Sequence, residues 1–139
     1  MSFEKLNQNS ISNIHNRSCM IIVNFNKKES GMIKNIGRLM GAKDFIFIDS
    51  KNGKTTIKDI LNNNVSDDNE EVWTNKAVIF NNINQLKING FLDSLKKMKI
   101  ARPLSAVVTD TTIDWTLNKL VYNLIQEKQA LKSAQTLNH

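Results

Sequence analysis

Short apolar runs alternate with longer amphipathic stretches along most of this chain. Residues 1–17 are polar and asparagine-rich with no steady period, which predicts a loosely ordered arm. Cys19-Met20-Ile21-Ile22-Val23 is then unbroken apolar sequence, the signature of a strand covered on both faces. Met32, Ile33, Ile36, Leu39 and Met40 recur at helical spacing, with Gly41 placed to end the helix. Phe45-Ile46-Phe47-Ile48 predicts a second strand, and Asn52-Gly53 a turn. Thr56 and Asp59 have capping-box spacing ahead of Ile60 and Leu61, so one short helix is expected before a polar, acidic loop at 62–71. Ala77-Val78-Ile79-Phe80 is a third strand, and Ile88, Phe91, Leu92, Leu95 and Met98 form the next helical face. Pro103 stops that segment, and Leu104 to Val108 gives a fourth strand. A last helix, expected from near Thr111, buries Leu117, Leu120, Val121, Leu124 and Ile125 and frays from about Ala134.

The order β-α-β-α-β-α-β-α predicts an α/β fold: a three-layer, four-stranded, mostly parallel sheet with helices on both faces. The preferred strand order is 2-1-3-4, as in half of a doubly wound, Rossmann-like sheet with its strands pointing one way; 3-2-1-4 is the competitor. One α/β domain is expected over residues 18–133, between the arm and a frayed end at 134–139. The repetition reads as architectural, with no sequence repeat apparent.

Length and composition bound this picture without changing it. At 139 residues the chain is the size of one domain and can bury roughly two thirds of its unfolded surface. Cys19 is the only cysteine, which excludes an internal disulfide and suits a reducing compartment. No apolar run approaches the roughly 20 residues that cross a bilayer, so no membrane contact and a cytoplasmic location are expected. The net charge of +6 comes from lysines spread over nearly every segment. Their densest cluster, Lys96, Lys97, Lys99 and Arg102, closes a helix, where cations favour the negative end of the dipole. Without interleaved aromatic residues it reads as a solvated helix end rather than a nucleic-acid patch.

In open parallel sheets, ligands bind beyond the carboxyl ends of the strands, where the strand order reverses. That rule selects Asn24, Asn26 and Lys27 after the first strand, and Asp49 and Ser50 after the second. It also selects Asn81 and Asn82 after the third and Thr109 to Thr112 after the fourth. With order 2-1-3-4, the first and third strands flank a crevice across which their asparagines face each other. The preferred account of these residues is nonetheless that they cap helices and make turns. The loop from Asn24 to Gly31 has one glycine, at its far end, and fits neither G-x-G-x-x-G nor the Walker phosphate-loop pattern. His15 and His139 lie at the two extremities, so neither can be paired with a nucleophile, and Cys19 reads as a core residue. Ligand spacing for a metal is missing, and no cofactor is implied. Thr111 and Asp114 match a capping box, which accounts for Asp114 without a reaction.

Ala106-Val107-Val108-Thr109, followed by Ile113-Asp114-Trp115-Thr116-Leu117, resembles a bacterial family known as domain of unknown function 3783 (DUF3783). The family pattern pairs an A-x-V-T strand end with an N/D-W-T-L helix start. The likeness covers roughly residues 76–128, including the Ala77 to Asn81 strand and the helix after it. It implies a small bacterial protein with no assigned catalytic residues, and Asn81, Thr109 and Trp115 are the positions it would carry to a shared surface. The leading expectation is a non-enzymatic binding or protein-interaction domain, with homodimerisation through an edge strand or Trp115. The alternative is a small-molecule or nucleotide-binding protein with its site at the strand carboxyl ends. Nucleic-acid binding ranks third.

Overall fold

The computed structural model describes residues 16–137, and the arm expected over 1–17 lies outside it apart from Asn16 and Arg17. The described chain folds as β1 (Cys19–Val23), α1 (Lys27–Leu39), β2 (Phe45–Ile48), α2 (Ile57–Leu61), β3 (Ala77–Asn81), α3 (Gln85–Lys97), β4 (Leu104–Val107) and α4 (Leu117–Leu137). Single 3-10 turns at Ser50–Asn52 and Thr112–Asp114 precede α2 and α4.

The strands form one sheet in the expected order, β2-β1-β3-β4. β1 pairs with β2, and β3 with β4, in parallel, so the sheet is mostly parallel. The central pairing of β1 with β3 is antiparallel, with Ile21 opposite Ile79 at its midpoint. This corrects the expectation that all four strands point one way. After α2 the chain runs on through a long loop, residues 62–76, and re-enters the sheet from the opposite end.

The antiparallel centre makes the molecule two equivalent β-α-β-α halves about a local two-fold axis through the Ile21–Ile79 pair. Odd residues of β1 (Cys19, Ile21, Val23) and of β3 (Ala77, Ile79) face one core layer with α2 and α4. Met20 and Ile22, with Val78 and Phe80, face the other layer, under Ile33 and Ile36 of α1 and Ile88, Phe91 and Leu95 of α3. The helix ends correspond too. Asn24 and Asn82 both adopt positive φ (65° and 54°), and Asn26 and Asn84 cap α1 and α3. Both helices close on a methionine, Met40 and Met98, followed by a left-handed residue, Gly41 (φ 92°) and Lys99 (φ 59°). The sequence does carry a faint repeat: Asn24-Phe25-Asn26 is echoed by Asn82-Ile83-Asn84.

Local chemistry explains the remaining boundaries. Thr56 accepts the Asp59 amide, the predicted cap of α2. Thr111 makes no such bond; Thr109 and Thr112 cap each other instead, so α4 starts at Leu117, later than expected, and runs beyond Ala134 to Leu137. Arg17, placed by its sequence in the loose arm, forms an ion pair with Asp44 at 2.7 Å and donates to the Leu61 carbonyl. Among the described residues, no helix is long and apolar enough to cross a membrane.

Candidate functional site

Because β1 and β3 run in opposite directions, the nominated residues do not share one crevice. Asn24, Asn26 and Asp49 lie at one end of the sheet; Asn81, Asn82, Thr109 and Thr112 lie at the other. The single crevice expected between the first and third strands is therefore replaced by two separate ends, related by the local two-fold.

At the first end the polar residues are consumed by the fold. The Asn24 amide donates to the carbonyls of Trp73 and Asn75, and its Oδ1 accepts the Ser50 amide, tying three segments together. Asn26 caps α1 by accepting the Glu29 amide at 2.8 Å. Asp49 and Asn52 cap each other around the first 3-10 turn, as Thr109 and Thr112 do around the second. Glu29 reaches back to the Asn26 amide and pairs with Lys76 (2.6 Å), whose ammonium lies 5.6 Å from the centre of the Phe25 ring. The hydrogen bond from Lys76 holds the Glu29 carboxyl below the usual carboxylate range. This end carries its own anion, cation and apolar cover.

Among the described residues, the second end is open. A cavity of about 660 Å³ lies over the carboxyl ends of β3 and β4, between the start of α3 and the loop after α1. Met20, Phe80 and Phe91 form its floor, Met40, Ile83 and Val108 its walls, and Ser18, Asn82, Lys43 and Lys87 its polar rim. Its volume falls in the range of small-molecule sites, roughly 300–1,000 Å³. Two of the nominated residues, Asn81 and Asn82, line it. Asn81 is 3% exposed and donates to the Arg17 carbonyl, so it builds the wall. Asn82 exchanges hydrogen bonds with Ser18 and donates to the Asn16 carbonyl, fixing the rim.

Sequence reasoning missed Lys43, Lys87 and Met40. Lys43 and Met40 follow the first crossover helix, and the strand-end rule does not point there. The signal that could have found Lys87 is the Asn-x-Asn echo, which aligns it with Glu29. Gly41 belongs to the same rim: a methyl group there would sit 3.5 Å from the Lys87 ammonium.

Trp115 lies away from this cavity. It is half-buried against the α2/α4 core layer, with the Lys119 ammonium 4.5 Å from its ring centre. Its backbone joins the two halves: Ile57 donates to the Trp115 carbonyl and Leu117 to that of Thr55. Trp73 completes the same layer, donating from its indole to Asn118 at 2.8 Å, while Asn118 and Asn69 bond each other. Cys19 is fully buried, and burial pushes its thiol up to about 11, which removes thiolate chemistry at neutral pH. Among the described residues, no cluster of His, Cys, Asp and Glu could hold a metal ion.

No curated protein and no solved structure gives a significant match to the chain. The family model described as "Domain of unknown function (DUF3783)" matches residues 76–131, which is the β3-α3-β4-α4 half that opens the cavity and carries the Trp115 strand-helix junction. Over that stretch the chain is similar to the DUF3783 family.

Proposed function

We propose that the chain is a binding domain whose ligand is a small molecule seated in the cavity at the carboxyl ends of β3 and β4. The observation that carries this reading is the inequality of the two sheet ends. Equivalent positions are closed by Phe25, Glu29 and Lys76 at one end, and left open at the other over an apolar floor with a polar rim. A fold that can seal such a place at one end, and leaves it open at the other, has reason to keep it accessible. The single buried thiol fits a reducing, cytoplasmic location, and the family likeness fits a bacterial source.

A thermal-shift screen of nucleotides and metabolites tests this reading. It predicts at least one compound that raises the melting temperature, an effect lost in Val107→Trp, which places a bulky ring at the cavity mouth from an exposed strand position. A screen without a hit, or a shift that survives Val107→Trp, contradicts it.

Self-association is a second reading. It is favoured by Phe47, which is 45% exposed on the edge strand β2 and stacks on Phe45 at 6.3 Å. Sedimentation tests it: a dimer dissociated by Phe47→Lys supports this reading, and a strict monomer at high concentration removes it.

A further inference from the structure

We infer that the cavity takes a small organic anion, a carboxylate carried on an apolar body. This rests on the binding reading above and deepens it. The local two-fold provides the argument, because it relates a filled site to one that the described residues leave open. Phe25, Glu29 and Lys76 correspond by position to Ile83, Lys87 and Ser18. At the filled end, the Glu29 carboxylate sits at the start of α1, held by Lys76 and the Asn26 amide, with the Phe25 ring beneath the cation. At the open end each charged position changes. The acid becomes Lys87, and the lysine becomes Ser18, too short to reach across.

The exchange has two consequences. It removes the internal anion, since the first turn of α3 has no acidic residue. It also turns a cation into the cavity rim. Lys87 and Lys43 both line the cavity, and among the described residues neither has a carboxylate partner. Lys87 moreover stands at the positive end of the α3 dipole, where a cation is disfavoured until an anion joins it. The lining supplies what the filled end takes from its own chain: apolar contact from Met40, Ile83 and Val108 in place of the Phe25 ring, and ammonium groups in place of Lys76. The missing component is the carboxylate. An occupant that brings one on an apolar body restores at this end the set of contacts present at the other.

The test uses the full chain and four probes: naphthoate, its neutral isostere naphthamide, the cation naphthylmethylamine, and inorganic phosphate. Binding is read by calorimetry on the wild type and on Lys43→Gln, Lys87→Gln and Val107→Trp. Naphthoate should bind about ten-fold or more tightly than naphthamide, a charge preference of roughly 1.4 kcal/mol. The cation should bind weakest, and phosphate alone poorly for want of an apolar body. Each lysine variant should lower naphthoate affinity several-fold and leave naphthamide unchanged, and Val107→Trp should weaken both. Equal binding of naphthoate and naphthamide, or a preference that survives both lysine changes, overturns the anion inference and leaves the cavity reading standing. Phosphate matching naphthoate overturns the apolar-body part. Failure of every naphthyl probe overturns the inference, and the cavity reading falls with it only where the thermal-shift screen is also without a hit.

Discussion

Thr56 and Thr116 face each other in an antiparallel bridge outside the sheet, and the pair is reciprocal: Ile57 donates to the Trp115 carbonyl and Leu117 to the Thr55 carbonyl, both at 2.9 Å. Each threonine stands immediately before its half's second helix, so the bridge repeats over the helices the two-fold that the Ile21–Ile79 pair sets within the sheet. Two contact layers thus fix the same relation between the halves. That relation sends the carboxyl ends of β1 and β3 to opposite sides of the molecule.

The layer under α1 and α3 turns on Phe80 and Phe91, which meet edge to face with ring centres 5.7 Å apart, both about 1% exposed. Phe91→Ala leaves a cavity beneath α3 that the flanking strands cannot close, and should cost about 3–5 kcal/mol of stability. Chemical denaturation checks this. Because Phe91 also floors the ligand cavity, the variant should lose probe binding as well.

Gly53 is fixed by its neighbours and not by its backbone, which lies in the ordinary right-handed region at φ −62°. A methyl group there would collide with Asn118 Oδ1 and Asn69 Nδ2. Gly53→Ala should therefore break the Asn69–Asn118–Trp73 hydrogen-bond set, lower the melting temperature and shift the Trp73 fluorescence, while probe binding at the distant cavity stays intact.

Cys19 supplies a reporter of opening. With no exposed surface and a thiol raised to about 11, it should resist an aromatic disulfide reagent in the native protein at pH 8 and react at the free-thiol rate once denatured. Rapid native-state labelling would contradict the burial of β1.

The Arg17–Asp44 pair gives a pH dependence with a definite sign. Arg17 holds the Asp44 carboxyl below its ordinary range, so the pair's stabilisation is present at neutral pH, where the unfolded carboxyl is also ionised. It is lost as the pH falls below about 4 and through the lower folded value. Asp44→Asn should cost about 1 kcal/mol or less at neutral pH, as expected of a partly exposed pair, and give a shallower loss of stability in acid. Melting curves from pH 7 to pH 3 distinguish the two proteins.

The fold was largely readable because hydrophobic pattern reports burial directly. Cys19 to Val23 and Ala77 to Phe80 are unbroken apolar runs, and both proved to be central strands. Strand direction has no such signature, since a residue covered on both faces is the same residue in either sense. The antiparallel centre is set by the path of the 62–76 loop, which is polar and without period. The candidate site failed to emerge for the same reason. A rule that gathers the carboxyl ends of all strands brought Asn24 and Asn81 together, whereas the structure separates them and recruits Lys43 from the loop after α1 and Lys87 from the first turn of α3. The preferred reading of these polar residues as caps holds for Asn26, Asp49, Thr109 and Thr112.

The central claim, that one end of a pseudo-symmetric sheet binds and its mate does not, is tested most directly by nuclear magnetic resonance during a naphthoate titration. Saturable backbone amide shifts are predicted at Gly41, Lys43, Asn82 and Lys87, with Lys99, Asn24 and Glu29 as the silent, symmetry-related controls. Equal shifts at both ends, or shifts confined to the Asn24 end, would contradict the account.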